Sequence, residues 1–340
     1  MKIDASMLTQ NPSEAGPFAA DLEQLGLDGV YTFEGQHDPF LPLAVASEST
    51  ERIELITAIA VAFARNPMIL ANLGYDLNLM SKGRFTLGLG SQIKPHIERR
   101  YSMPWSRPAA RMREMVQAMR AIWSCWATGE RLSFEGEFYT HTMMTPVFNP
   151  GPNPYGDPKV YLAAIGELMC EVAGEVGDGI LLHPLNTPGF IDAHTLPALQ
   201  RGWEKAGKSR ENFDISCQFM VATGETEEEF ENAKALVRNQ IAFYGSTPAY
   251  KPVLDHCGWG DLQPQLRDLS KQGKWQAMGG LISDEMLHTI GVIGTPEEVA
   301  AEIRDKRSEH VDRVSPTMYV TNNEVLAKVA RLIRGDEEEV

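Results

Sequence analysis

Short apolar runs alternate along the chain with longer segments in which apolar residues recur every three or four positions. Runs rich in Val, Ile and Leu predict buried strands, and the periodic segments predict amphipathic helices. The predicted strands span residues 2–7, 29–33, 53–63, 84–90, 159–164, 179–183, 213–223 and 314–320. Predicted helices span residues 13–25, 43–48, 108–127, 166–177, 188–206, 226–244 and 322–334, and further helices begin near Pro67 and Thr295. Strands that alternate with helices in this way predict a parallel sheet with the helices packed outside it.

Local signals agree with this periodicity at several helix ends. Gly26 follows the first predicted helix, and glycine commonly closes a helix C-terminus. Pro67 and Pro296 fall in first helical turns, where the missing N–H of proline costs no hydrogen bond. Thr295 is placed to cap the helix that Pro296 opens. Residue chemistry and periodicity therefore predict the same helix boundaries.

Two stretches, residues 129–158 and 246–290, break the alternation. The first has a hairpin-like pattern at 132–139 followed by five prolines, and we predict that it passes over the top of the fold. The second is predicted to be an irregular insertion. Residues 335–340, Gly-Asp-Glu-Glu-Glu-Val, predict a disordered acidic tail. Residues 1–334 are therefore predicted to form one domain.

Two architectures share the strand–helix alternation. A doubly wound open sheet would carry a GxGxxG turn where its first helix begins, and this sequence has none there. Barrels of alternating strands and helices run from roughly 200 to over 400 residues, a range that includes these 340. The predicted fold class is α/β, a single (β/α)8 TIM barrel with two insertions.

Composition narrows the class of protein. The chain has 31 Lys and Arg against 46 Asp and Glu, a net charge of -15, which disfavours a nucleic-acid partner. No apolar run reaches the roughly 18 residues of a membrane span, and the N-terminus reads as a strand, so we expect a cytoplasmic protein without membrane association. The four cysteines show no CxxC spacing, so neither a disulfide framework nor a metal site is predicted.

Active sites of such barrels lie at the C-terminal ends of the strands, so the loops there are the candidates. After strand two come Glu34, His37 and Asp38, which could hydrogen-bond a ring or relay a proton. A loop this polar can equally be a solvated turn. Strand three contains the run Thr57, Ala58, Ile59 and Ala60, whose small residues would let a flat ring approach the backbone or would simply fill the barrel.

Strand four ends in Gly88-Leu-Gly90, where glycine permits close backbone approach, and Ser91 and Gln92 add polar groups. Basic residues then outnumber acids over the next twenty positions. They are Lys94, His96, Arg99, Arg100, Arg107, Arg111 and Arg113. A cationic face here would suit a phosphate or carboxylate tail of a cofactor, and a salt-bridged surface helix is the alternative.

The loop after strand five carries Ala163, Ala164 and Gly166 at the start of a predicted helix. Small residues that lead into a helix N-terminus leave its N–H groups and its positive dipole end open to an anion. This loop is the candidate phosphate site.

These features, in this order, resemble the luciferase-like monooxygenase superfamily and its F420-dependent branch. The resemblance covers nearly the whole chain. Its most specific segments are Phe-Ala-Arg-Asn-Pro at 63–67 with Gly-Arg-Phe-Thr-Leu-Gly-Leu-Gly at 83–90, and Tyr-Leu-Ala-Ala-Ile-Gly at 161–166 leading into Val-Ala-Gly-Glu-Val-Gly-Asp-Gly-Ile at 172–180. Residues 90–100 also resemble a subgroup of F420 oxidoreductases.

The resemblance implies several roles. A non-prolyl cis peptide bond would fall near Thr57, Ala58 and Ile59, beside the cofactor ring. The cofactor phosphate would be held by Ala163, Ala164, Gly166 and the following amides. Gly90, Ser91 and Gln92, with His96, would contact the cofactor, which is coenzyme F420 or alternatively FMN. A homodimer is also implied.

The sequence departs from the family pattern at two places. Relatives carry Asp-His or Glu-His-His after strand two, whereas here Gly35-Gln36 follows Glu34 and the histidine, His37, comes later. The glutamate that some relatives carry after strand four is replaced by Ile93 or Lys94. Both departures concern the proton donor.

The resulting hypothesis is hydride transfer between the deazaflavin and a small organic substrate, with His37 as acid/base and Glu34 or Asp38 orienting it. The insertion 246–290 would roof the substrate pocket, or would be a packed rim or dimer contact. The alternatives are an FMN-dependent monooxygenase that uses O2, and a cofactor-free barrel that acts as a hydrolase or binding protein. No GxSxG or HExxH motif supports hydrolysis.

Overall fold

Parallel strands paired in chain order form a closed barrel in the computed structural model of the chain. The structure describes residues 1–307, 309–319 and 322–336, and eight barrel strands lie within them. The strands are β1 Lys2–Ser6, β2 Gly29–Thr32, β3 Glu54–Thr57, β4 Phe85–Gly90, β5 Lys159–Ala164, β6 Gly179–Leu182, β7 Asp214–Ala222 and β8 Arg313–Met318. Strand β8 pairs with β1 through Arg313↔Lys2, which closes the barrel. The predicted (β/α)8 fold is confirmed.

Helices surround the strands. They are α1 Ala15–Gln24, α2 Phe40–Ser49, α3 Pro67–Met80, α4 Lys94–Arg99, α5 Pro108–Thr128, α6 Glu167–Val176, α7 Pro188–Phe190, α8 Leu196–Ala206, α9 Glu227–Gly245, α10 Lys251–His256, α11 Leu262–Lys271, α12 Trp275–Gly279, α13 Asp284–Ile290, α14 Pro296–Glu302 and α15 Asn323–Arg334. The predicted local signals hold: Gly26 has a positive φ after α1, and Thr295 caps α14 in a reciprocal capping box.

Burial on both faces explains why the strands read as continuous apolar runs. All residues of β2, β4 and β6 are buried, as expected for parallel strands covered by helices on the outside and by packed side chains within. Burial of a large apolar side chain such as Phe85 or Leu55 contributes about 1.5–3 kcal/mol. The core therefore lies between the barrel and its helices.

Paired charges fill the N-terminal end of the barrel. The Arg313 side chain is 1% exposed and donates from Nε and Nη2 to Asp4, at 2.9 and 2.6 Å. Its Nη1 donates to Glu54, and the Tyr161 hydroxyl nearby donates to Asp214. Because these groups occupy the barrel interior at that end, the opposite, C-terminal mouth is the end of the barrel where a ligand could enter.

Strand three differs from its prediction. The predicted run 53–63 is interrupted: β3 ends at Thr57, and pairing with β4 resumes at Ala60–Val61. The peptide bond between Ala58 and Ile59 is cis, within the segment where the resemblance placed one. The interruption belongs to the mouth of the barrel.

The first insertion does not cross the top, and that prediction was wrong. Its short hairpin, Phe134–Glu135 with Thr140–His141, lies beside the start of α5, where Glu114 accepts the N–H of Phe138 and Tyr139 at 2.7 Å. The chain then returns along α3, where Asn153 donates to the Tyr75 carbonyl at 3.1 Å. Residues 129–158 therefore lie against the outer helices.

The second insertion is helical rather than irregular. Residues 246–290 contain α10 to α13, and α11 and α12 pack against α9. Leu266 and Met278 are buried in a separate apolar cluster with Val237 of α9. Short helices separated by glycine carry too few turns for their periodicity to be recognised, which explains the wrong prediction. Of the predicted tail, Gly335 caps α15, and residues 337–340 lie outside the described part of the chain.

Candidate active site

The C-terminal mouth of the barrel has an accessible rim of apolar and small residues. Phe33, directly after β2, is 46% exposed, and Ala58, Ile59 and Ala163 are partly exposed. These residues come from β2, β3 and β5, so they line one side of the mouth. A flat, largely apolar ligand could contact them.

Hydrogen bonds hold the cis peptide segment on both sides. The Ala58 N–H donates to the Thr32 carbonyl at 2.6 Å, and the Ile59 carbonyl accepts the Glu34 N–H at 3.0 Å. Thr57 is fully buried, and its hydroxyl both donates to the Gly88 carbonyl at 2.8 Å and accepts the Gly88 N–H at 2.9 Å. The Thr57 side chain therefore joins β3 to β4, while Ala58 and Ile59 present the accessible surface.

Glu34 is the anchor of this segment. Its side chain is 8% exposed and its carboxylate accepts the Val61 N–H at 2.7 Å and the Arg65 guanidinium at 2.6 Å. The Tyr101 hydroxyl donates to the other carboxylate oxygen at 2.8 Å. Burial, together with this bond to the Glu34 carboxylate, raises the pKa of Tyr101 to about 12. Glu34 therefore links the loops after β2, β3 and β4.

The predicted acid/base group is oriented differently from the expectation. His37 is exposed, and its Nε2 lies 2.8 Å from the Gln10 carbonyl. Asp38 accepts from Arg65 at 3.0 Å and from the Phe40 N–H at 2.9 Å. Within the described residues no hydrogen bond joins His37 to Glu34 or Asp38, because both carboxylates are engaged by Arg65. The predicted orienting pair is not formed.

The loop after β4 uses several of its polar groups internally. A Cβ on Gly90 would come within 2.8 Å of the Ile59 side chain, so this glycine allows β4 to approach the cis segment closely. Ser91 donates to the Gln92 carbonyl at 3.2 Å, and Gln92 has a positive φ and accepts the Ile93 N–H. Ser91 and Gln92 are partly exposed, and His96 is exposed on α4. The loop is placed at the mouth as predicted.

The basic residues after strand four fall into two groups, and those at the start of α5 are paired or buried rather than part of one cationic face. Arg107 pairs with Glu137, and Arg113 pairs with Glu175 at 2.8 Å. Arg111 is 7% exposed and donates to the Tyr139 hydroxyl and the Pro104 carbonyl. Arg107, Arg111 and Arg113 are therefore each neutralised or buried by a different neighbour, since α5 turns successive side chains to different partners. Lys94, His96, Arg99 and Arg100 lie on or beside α4 and are exposed.

The start of α6 has the open geometry expected of an anion site. Gly166 is its N-cap in extended conformation, and no side chain caps the helix. A Cβ on Gly166 would meet no atom within 4 Å, so the space beside these amides is open. Ala163 is partly exposed and Ala164 is buried in β5. Uncapped amides and the helix dipole suit a phosphate.

The chain therefore fits a planar cofactor with a phosphate tail. Ala58 and Ala163 add only methyl groups to the rim, and the uncapped α6 N-terminus follows β5 after two residues. Both features lie at the C-terminal end of the barrel, opposite the paired charges around Arg313.

A histidine that sequence reasoning left out also lies at the mouth. His183 follows β6, and its ring lies 4.0 Å from the Tyr250 ring and 4.5 Å from the Tyr244 ring, centroid to centroid. Burial lowers the pKa of His183 to about 3. The sequence could have indicated His183 as a site residue, because it is the last residue of a predicted barrel strand. Tyr244 and Tyr250 come from helical segments, and no local sequence pattern connects these segments to His183.

Neither a metal-binding cluster nor a membrane-spanning helix is present in the part of the chain that the structure describes. No group of three or more His, Cys, Asp or Glu side chains converges there in a way that could hold a metal ion. Among the helices of the same residues, none is long and apolar enough to cross a membrane.

Comparison with known proteins gives a consistent result. The family description "luciferase-like monooxygenase" matches residues 1–313. An uncharacterised protein of Mycobacterium bovis is 53% identical over 326 residues, 96% of each chain. The 5,10-methylenetetrahydromethanopterin reductase of Archaeoglobus fulgidus is 27% identical over 303 residues, 86% of this chain and 85% of that one.

A solved structure shows the same fold. The coenzyme F420 dependent tetrahydromethanopterin reductase from Methanopyrus kandleri superposes with a TM-score of 0.81, covers 98% of both chains and is 19% identical. With the barrel closed and the family pattern matched over residues 1–313, the chain belongs to the luciferase-like monooxygenase family.

Proposed function

We propose that this protein is an F420-dependent oxidoreductase that transfers a hydride between the deazaflavin and a small organic substrate. The observation that carries the proposal is the pairing, at one end of the barrel, of the partly exposed residues Ala58 and Ile59 with the uncapped amides after Gly166. The relatives that are F420-dependent by name support the choice of cofactor. When bound, the deazaflavin supplies the carbon that gives or takes the hydride.

The chain's own contribution is position and exclusion of water. Ala58 and Ile59 would contact one face of the ring, with Gly90, Ser91, Gln92 and the exposed His96 on the neighbouring loop. The amides after Ala163, Ala164 and Gly166 would hold the phosphate. Glu34 would keep the cis segment in place through its bonds on either side of it. His37 remains a predicted acid/base group.

Titration of the purified protein with F420 and with FMN, followed by tryptophan fluorescence, tests the proposal. We expect F420 to bind more tightly than FMN. Tight binding of FMN without binding of F420 would instead support a flavin monooxygenase, which the family description favours. Binding of neither at tens of micromolar would support a cofactor-free barrel.

Gly166 offers a sharper test. Gly166→Asp places a capping carboxylate on the α6 amides, where a Cβ has space. Because Asp is a good N-cap and repels phosphate, we expect unchanged or higher stability and at least tenfold weaker F420 binding. Gly166→Ala is the matched control and should change the affinity by less than about threefold, since it adds no charge. Equal affinities of the two variants would remove the phosphate from this site.

We also propose that the protein is a homodimer joined through α2 and α3. Five large apolar residues on these two helices are exposed. They are Leu41, Val45, Ile69, Leu79 and Met80. Leu41 and Val45 are one turn apart, and α2 packs beside α3, so the two helices offer a shared apolar surface to a second copy.

A further inference from the structure

We propose that His183, Tyr244 and Tyr250 form the substrate wall of the barrel mouth, and that this wall binds an uncharged molecule through a hydrogen bond from His183 Nε2–H to a carbonyl oxygen. This inference deepens the proposed function and rests on it for the presence of a substrate at this end of the barrel. Nothing in the family comparisons assigns a role to these three residues.

The strand pattern directs His183 into the barrel. A Cβ on Gly179 would come within 2.6 Å of the Tyr161 ring, and one on Gly88 would come within 2.8 Å of Leu181. Gly179 and Leu181 therefore face the interior, and the two-residue period of a strand turns His183 the same way. Since β6 lies three strands from β3 in the eight-stranded barrel, His183 faces the mouth from a different side than Ala58 and Ile59.

Hydrogen bonding fixes which ring nitrogen carries the proton. The Leu185 N–H donates to His183 Nδ1 at 3.1 Å. In the neutral ring, Nε2 must then carry the hydrogen. Among the described residues Nε2 has no hydrogen-bond partner, and it is not one of their fully buried unpaired atoms. A donor of fixed orientation is thus left facing the mouth.

Two aromatic rings hold the imidazole in this orientation. Tyr250 lies nearly parallel to it, with an interplanar angle of 30° and 4.0 Å between centroids. Tyr244 meets it edge-on at 75° and 4.5 Å. Because Tyr250 comes from the insertion and Tyr244 from the end of α9, the insertion covers this side of the mouth. A ring fixed in this way loses little entropy when it binds a substrate.

The titratable groups that the structure describes around His183 are either neutral or paired with an opposite charge. Burial lowers the pKa of His183 and raises that of Tyr31, Tyr244, Tyr250 and Tyr319, so all five are neutral near pH 7. The nearby cations on α9 and α10 are paired: Arg238 with Asp284, and Lys251 with Asp255. A buried carboxylate or phosphate without a cation is costly, so the wall favours a neutral ligand.

A neutral imidazole N–H is suited to a carbonyl oxygen. It donates a hydrogen bond without protonating its partner, and a carbonyl is the neutral group that accepts such a bond while offering a carbon to hydride. Cyclohexanone is a suitable probe, and cyclohexanecarboxylate is its anionic counterpart of similar size.

The experiment uses F420-loaded protein labelled with [15N]histidine, observed by NMR. In the free protein we expect His183 as the Nε2–H tautomer, unchanged from pH 8 to pH 5. Cyclohexanone should move the Nε2–H signal downfield, and cyclohexanecarboxylate should need at least tenfold higher concentration. An imidazolium near pH 6.5, the opposite tautomer, or an equal response to the carboxylate would overturn the inference.

Variants separate this inference from the proposed function. His183→Phe keeps an aromatic ring between the tyrosines and should weaken cyclohexanone binding about fivefold to tenfold, with F420 affinity unchanged. His256→Phe, the same change at an exposed histidine of the insertion, is the matched control and should change neither. If wild-type protein does not bind F420, the proposed function fails; if F420 binds and His183→Phe binds cyclohexanone normally, only the wall fails.

Discussion

Replacement of Glu34 by Gln tests whether a buried charge holds the cis segment in place. The amide has the size of the carboxylate and can still meet Val61 and Tyr101, so the change removes mainly the charge beside Arg65. The side chains of this ion pair are 8% and 14% exposed. Loss of one partner of a buried pair costs about 3–5 kcal/mol.

The expected loss lies below that range because Arg65 retains a second partner. Asp38 stays 3.0 Å from the guanidinium, although its side chain is 41% exposed and therefore screened by water. We expect Glu34→Gln to lower the free energy of unfolding by about 2 kcal/mol. Asp38→Asn, the matched control on the same guanidinium, should cost less than about 1 kcal/mol.

Urea denaturation of a double-mutant cycle measures the coupling. With Arg65→Met as the second change, Glu34→Gln should cost at least about 1 kcal/mol less than it does in the wild type. A cost of Glu34→Gln no larger than that of Asp38→Asn, or additive effects of the changes at Glu34 and Arg65, would show that this ion pair does not hold the segment in place.

Three other predictions concern different parts of the molecule. Folding lowers the pKa of His183 from 6.5 to about 3, so as the pH falls the unfolded chain takes up a proton at a higher pH than the folded protein does. The free energy of unfolding is therefore highest above pH 6.5 and is lower by about 2 kcal/mol at pH 5. Urea titrations at pH 7.5 and 5 should show this loss reduced in His183→Asn but retained in His96→Asn. Arg313→Met leaves Asp4 buried and unpaired, and it should lower the free energy of unfolding, measured by denaturation, by about 3–5 kcal/mol. A cost near zero would mean that the ion pair at the N-terminal end of the barrel does not stabilise the fold. Leu41→Glu, on the exposed face of α2, should give a monomer by light scattering after gel filtration, and an unchanged mass would place the dimer interface elsewhere.

The candidate site shows where local patterns lose information. His37, Glu34 and Asp38 are close in sequence, and sequence reasoning grouped them as one acid/base unit. In the structure Arg65 binds the carboxylates of both Glu34 and Asp38, and the Nε2 atom of His37 contacts the Gln10 carbonyl instead. Sequence proximity after a strand predicted the right loop but not the partners of its side chains.

The sequence by itself determined the barrel, because strand and helix periodicities and caps such as Thr295 depend only on near neighbours along the chain. The open helix start after Gly166 followed from a contiguous stretch of small residues, and the cis peptide segment was implied by the resemblance to the family. Only the closed barrel decided the pairings: Arg313 meets Asp4 from 309 residues away, and Glu34 meets Tyr101 from 67. Such contacts depend on where eight strands bring their ends together, so no pattern confined to a few neighbouring residues can encode them.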